Sequence, residues 1–125
     1  MRIVDANVIL RYLLADNEEL SGQAAQIIDN NKIDIPIEVL CEVVYVLEKV
    51  YKAKRKDISG ELTDFLNDTD KVLPYRDAVL LGLKHYALVK LDFVDCILAG
   101  YAEAENAEIH TFDKDLKKLI SRNKS

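Results

Sequence analysis

The sequence predicts an α/β domain: a short, mostly parallel sheet of four or five strands, covered by helices on both faces in a three-layer α/β/α arrangement. Two observations carry this expectation. Short extended-looking runs alternate with longer segments whose apolar residues recur every three or four positions. Strands separated by helices require crossover connections, and such crossovers are right-handed and join parallel strands. No Pro/Gly-rich linker, repeat or low-complexity tract divides the 125 residues, so 1–125 reads as one domain. A chain of this length can bury about two thirds of its unfolded surface.

The elements follow in order. "RIVDA" is a first short extended run ending at Asp5, where the chain turns into a helix. Helical periodicity then covers 18–30, and "KIDIP" is a second extended run. Positions 37–52 form the next helical pattern, with Leu40, Val43, Val44, Leu47, Val50 and Tyr51 as its buried stripe. A pattern at 57–69 leads to "KVLP", a weaker third strand, and 76–88 carries Leu83, Ala87 and Leu88 in its stripe. After a helix at 93–105, "AEIHTF" is a fourth extended run, and "KDLKKLI" closes the chain as an amphipathic turn. The tail "LKKLISRNKS" offers no clear fifth strand. Pro36 and Pro74 each end an extended run and mark strand-to-helix junctions.

Composition narrows the class. Hydrophobic residues are 50% and charged residues 31%, and no apolar run approaches the roughly 20 residues of a membrane span. "MRIVDANVIL" has one arginine and then an aspartate within its apolar stretch, unlike a secretory leader, so a cytoplasmic location is expected. A net charge of −5 argues against a broadly basic nucleic-acid coat but leaves a local metal-bearing acidic site open. Cys41 and Cys96 form no CxxC pair and read as small core residues, and His85 and His110 lack metal-ligand spacing.

Ligands of open α/β sheets gather at the carboxyl ends of the strands. Asp5 and Asp113 occupy such places after the first and last extended runs. Asp5 has a competing duty as a helix N-cap, shared with Asn7. For the final helix Asp115 is the more natural cap, which leaves Asp113, with Thr111 two residues before it, free of local duty. In "KLDFVDCILAG", Asp92 serves as N-cap and Asp95 falls in the first turn, resembling a capping box and favoured by the helix dipole. Glu42 lies in "VLCEVVYVL", on the far side of its helix but flanked by Val39, Tyr45 and Val46. An ionised carboxylate in apolar surroundings costs several kcal/mol, on the order expected for burial without a partner, so it needs a cation such as Lys49 or Arg11, or a functional reason. Glu38 is the rival position. If these acids converge, they repel unless protonated or bridged, and a hard divalent ion answers that need.

The stretches "VDANVILRYLL", "EVLCEVVYVLEKVY" and "LDFVDCILAGYAEAENAEIHTFDKDL" together resemble the PIN-domain ribonucleases, in particular the VapC-type toxins of toxin-antitoxin pairs. The resemblance implies an acidic quartet of Asp5, Glu42, Asp95 and Asp113, serving both catalysis and metal binding, with Asn7 and Thr111 as supporting neighbours. Asp92 and Asp115 match positions that are often acidic in the family. It further implies a PIN-like fold, hydrolysis of RNA by a magnesium- or manganese-bound water, a homodimer, and a cognate antitoxin that inserts a basic side chain into the acidic pocket.

Phosphate contacts require cations. Arg11 and Lys114 stand near the acids in sequence, as do Lys117 and Lys118, and "KAKRK" at 52–56 is the densest basic run, though it also reads as a solvated turn. Two other classes compete with the nuclease. A catalytically silent module of the same fold would hold a basic peptide in the acidic pocket. A phosphoacceptor domain would need an aspartate after a central strand with a lysine partner, and neither is evident.

Overall fold

Apolar periodicity and capping residues set where the helices run. The computed structural model describes residues 1–68 and 70–123. Its helices are α1 (Ala6–Leu14), α2 (Glu18–Asp29), α3 (Ile37–Lys49), α4 (Arg55–Leu66), α5 (Arg76–Leu88), α6 (Phe93–Ala104) and α7 (Lys114–Asn123). Two strands, β1 (Ile33–Asp34) and β2 (Lys71–Val72), pair in parallel with Ile33 opposite Lys71 and Asp34 opposite Val72. The expected helix at 57–69 thus begins two residues earlier, and its last position, Thr69, lies outside the described residues. The final positions of the tail, 124 and 125, lie outside them too.

The chain forms two compact units, Met1–Ala53 with Asp64–Pro74, and Lys54–Thr63 with Tyr75–Ser125. In the first, Ile3 bridges Asp34 in parallel, and Asp34 N–H donates to the Arg2 carbonyl at 2.8 Å while its carboxylate accepts from Arg2 N–H at 2.9 Å. β1 is tied to β2 by Ile35 N–H donating to the Val72 carbonyl at 2.9 Å. α1 follows the bridged segment and α3 follows β1, so both helices start from carboxyl ends of neighbouring parallel segments. α1 packs against α2 and α3. Ile9, Ile28, Ile33, Ile35, Leu40 and Val43 are essentially removed from solvent there. Pro36 is the N-cap of α3, and Pro74 immediately precedes Tyr75, the N-cap of α5, so both prolines mark the expected junctions.

In the second unit α5 and α6 pack along their length, and α6 packs on α7. Small residues permit the approach: a Cβ on Gly100 would overlap the Ala78 carbonyl, and one on Gly82 would meet Ile97. Ala99, Leu116 and Leu119 form a buried cluster with Val89, Leu91, Leu98, Ile109 and Ile120 against it. That cluster fixes α7 with respect to α6.

One expectation is not confirmed and two are corrected. The described residues hold two strands and one bridge, short of the four or five strands expected. "AEIHTF" alternates in burial but forms no ladder among the described residues, so alternation here marks an extended segment lying on α6 and α7 residues through Ile109. Leu88 is 68% exposed, and the buried face of α5 instead runs through Ala78, Val79, Gly82, Leu83, His85 and Tyr86. Val50 and Tyr51 are likewise exposed, because α3 ends at Lys49 and the helical register that would bury them stops there.

Candidate functional site: acidic residues at three helix starts

α6 begins at Asp92, which takes the N-cap position but makes no side-chain capping bond. The capping box expected of Asp92 and Asp95 is therefore absent, and only the Asp92 carbonyl serves the helix, accepting from Cys96 N–H at 3.0 Å. Asp95 is half-buried in the first turn. Burial pushes its carboxyl above the usual aspartate range, and the charges of Asp113 and Asp92 push it further in the same direction. The α6 dipole acts the other way at this position, so desolvation and like-charge repulsion outweigh it. Asp92, Asp95 and Asp113 are thus close enough to feel one another.

Asp113 corrects the sequence reading. It, and not Asp115, caps α7: one carboxylate oxygen accepts from Leu116 N–H at 2.8 Å and its carbonyl accepts from Lys117 N–H at 3.1 Å. The reason is the backbone. Thr111 Oγ1 accepts from Asp113 N–H at 3.0 Å, turning the chain so that the helix starts one residue later, at Lys114. Asp115 is exposed in the first turn. Thr111 thus contacts the backbone of Asp113 and not its carboxylate. The capping bond uses Oδ1 only, and Oδ2 makes no hydrogen bond among the described residues.

In the first unit Asp5 caps α1, with Oδ1 accepting from Val8 N–H at 3.1 Å, and it is exposed. Asn7 takes no part in the cap. Glu42 is exposed in the second turn of α3, beside Tyr45, itself 62% exposed. The apolar surroundings anticipated for it are therefore open to water, and solvation removes the need for a compensating cation. Both anticipated partners are engaged elsewhere: Lys49 lies 3.8 Å from Glu48, and Arg11 forms a 2.8 Å ion pair with Asp16. Glu38 is exposed one turn before.

The basic run 52–56 is partly structural. Arg55 donates to the carbonyls of Tyr86, Val89 and Leu91 and stacks 3.8 Å above the Tyr86 ring, so it ties the start of α4 to the end of α5. Its charge sits at a helix C-terminus, where the dipole favours it. Lys114 is exposed at the start of α7. His85 is buried, 2.9 Å from Glu103, and Asn123 lies 3.2 Å from the same ring nitrogen, so its ring is engaged in packing α5 against α6 and α7. Burial raises the Cys96 thiol to about 11, which leaves it protonated and inert. Sequence reasoning passed over Phe112, which is 99% exposed between Thr111 and Asp113. Its apolar type alone gave no signal of that exposure.

Among the described residues, no group of three or more His, Cys, Asp or Glu side chains is already gathered tightly enough to hold a metal ion. The chemistry of the donors nevertheless suits a hard cation: the second-unit cluster offers carboxylate oxygens only, and a divalent ion would offset both the burial that raises Asp95 and the repulsion from Asp113 and Asp92 that adds to it.

The model of the PIN domain family matches residues 2–120. The chain belongs to the PIN domain family. A curated relative, a VapC ribonuclease of Aquifex aeolicus (strain VF5), is 28% identical over 126 residues, covering 95% of this chain and 92% of the relative. No solved structure gives a significant match. The PIN match runs through both compact units and includes every candidate acid. Among the described residues of this PIN domain, no helix is long and apolar enough to cross a membrane.

Proposed function

We propose that this PIN-domain protein is a magnesium- or manganese-dependent endoribonuclease and the toxin of a toxin-antitoxin pair, acting as a homodimer in the cytoplasm and held by a cognate antitoxin. The observation that carries the reading is the raised Asp95 carboxyl beside Asp113 and Asp92, a concentration of negative charge in a chain whose family and curated relative point to RNA cleavage. The reading takes residues 1–125 as one three-layer PIN-like domain with a parallel sheet of four or five strands.

Asp5, Asp95, Asp113 and Glu42 would hold the ion, with Asn7, Thr111, Asp92 and Asp115 supporting them. When bound, the ion supplies a water acidic enough to be deprotonated near neutral pH and neutralises charge on the phosphoryl oxygens. The chain's own contributions follow from its geometry. Asp5 and Asp113 are held in fixed rotamers by their capping bonds, so each presents its second oxygen in a defined direction. Glu42, exposed on α3, would complete the set of ligands or assist deprotonation of the attacking water. Arg11 and Lys114 would contact phosphate. The exposed Phe112 ring beside Asp113 offers a surface on which an unpaired base can stack.

One observation favours a silent binding module: capping accounts for Asp5 and Asp113 without any chemistry. A single experiment separates the two. Purified protein is expected to cleave single-stranded RNA with manganese, leaving 5′-phosphate and 3′-hydroxyl ends, and to stop with chelator or with Asp5→Asn, which keeps a capping oxygen. Cleavage that survives both would sink the assignment of a metal-dependent nuclease to these acids. Absence of manganese binding by calorimetry, with tight binding of an arginine-bearing peptide, would establish the module instead.

A further inference from the structure

The second unit also carries a concave surface of the opposite sign. The segment after α5 and one face of α7 enclose a cavity of about 680 Å³ whose charged lining is Lys90, Lys117, Lys118, Arg122 and Asp115. Four cations stand there against one acid, in a chain whose net charge is −5. The apolar part of the lining includes Leu91 and Leu119, and Leu119 belongs to the buried cluster with Ala99 and Leu116. One wall of the groove is therefore held by core packing, and the other, the connection from α5 to α6, is anchored by Val89 and Leu91 against the same cluster. Cations around a concavity with apolar walls focus the field, whereas the same charges on a convex helix face are dispersed in water.

Its position matters as much as its sign. Asp113 caps the helix whose next turns form the groove, so the cations begin one turn beyond the acidic cluster. From Asp115 to Arg122 the helix advances about 10 Å, enough for roughly two or three nucleotide steps. A polyanion approaching Asp92, Asp95 and Asp113 is repelled by them, and a row of cations directly alongside offsets that repulsion.

We infer that this groove binds the phosphate backbone of the RNA on one flank of the scissile bond, with Lys117 and Lys118 as its principal contacts and Lys90 and Arg122 beside them. The inference rests on the ribonuclease reading and deepens it. Lys117 and Lys118 are exposed, whereas Arg122 makes a further interaction within the protein, which leaves the mobile share of phosphate binding to the two lysines.

The test measures binding of a fluorescein-labelled oligouridylate to the full chain by anisotropy, in chelator so that no cleavage occurs, across a salt series. Replacing the pair by Lys117→Gln with Lys118→Gln should weaken binding about tenfold at low salt and make the log affinity against log salt slope shallower by about 1.4, the value for two lost single-strand phosphate contacts. Lys117→Arg with Lys118→Arg should restore both. In manganese, the cleavage loss of the glutamine pair should fall on KM. Affinity, slope and KM all equal to wild type would overturn the groove while leaving the nuclease intact. A changed slope in a protein that cleaves no RNA would instead keep the groove and remove the nuclease. Binding of oligoglutamate as tight as the RNA, with the same dependence on the pair, would make this an acidic-protein site and overturn the RNA assignment. Thermal melts of each variant confirm that the exposed substitutions leave the fold in place.

Discussion

Helices α6 and α7 both begin on an aspartate, yet only α7 uses the side chain as a cap. Asp113 gives one oxygen to Leu116 N–H at 2.8 Å, and its charge is partly spread onto the helix backbone. Asp92 makes no such bond, yet Asp95, half-buried and pushed up first by that burial, feels the charge of the capping Asp113 more than that of Asp92. The difference shows that an acid at a helix start can serve as a side-chain cap or not, and that it acts on neighbouring carboxylates either way. Sequence position alone does not decide which. Negative charge gathers where carboxylates lie near one another, capped or not, and a cation gains most there.

This contrast can be broken at three points, in falling order of effect. Asp95→Asn should lower RNA cleavage by about three orders of magnitude, the scale of losing several kcal/mol of metal-assisted stabilisation. It should also change the pH dependence of stability. Asp95 holds its proton more tightly when folded, so through the range between its ordinary and raised values the folded state binds more protons, and wild-type stability falls as pH rises. Melts from about pH 3 to about pH 7 should show that slope flattened in the variant. A variant that keeps the wild-type slope would mean that Asp95 is not the strained acid.

Asp113 separates its two duties. Asp113→Ala should cost about 1 kcal/mol of stability through the lost cap, whereas Asp113→Asn keeps a capping oxygen and should cost only a few tenths. Both should lose cleavage, because a neutral side chain no longer serves a cation. Chemical denaturation and cleavage assays on the two variants check this, and equal stability would remove the capping account. Asp92→Ala should have the smallest structural effect, within about 0.5 kcal/mol, since no capping bond is lost. Its cleavage defect should be nearer tenfold. A stability loss as large as that of Asp113→Ala would show that Asp92 caps in solution after all.

The same lesson applies to the cations. "KAKRK" is the densest basic run in the sequence, but its Arg55 is spent on three carbonyls and an aromatic ring. The sparser lysines of α7 line a cavity instead, together with Lys90 from another segment. Linear density of charge therefore does not by itself mark where cations line a concave surface.

Much of the molecule was legible without coordinates. Apolar spacing located the long helices to within a few residues, Pro36 and Pro74 marked two helix starts, and the order of the acidic motifs pointed to the PIN family, whose model covers residues 2–120. Helix periodicity is a local property repeated over several turns, and so survives the absence of tertiary information. Strands of two residues carry too little pattern for that, and "AEIHTF" shows that alternation can arise without a partner strand.

The sequence by itself determined which residues are acids, which segments are helices, and which small residues stand at positions 82 and 100 to let α5 and α6 approach. Only the tertiary structure decided which acids serve as caps, that Glu42 faces water, that Asp95 is desolvated beside Asp92 and Asp113, and that Arg55 is a clamp. The physical reason is that composition and period are fixed along the chain, whereas solvation, repulsion and hydrogen-bond partnership depend on what the folded chain brings alongside each side chain.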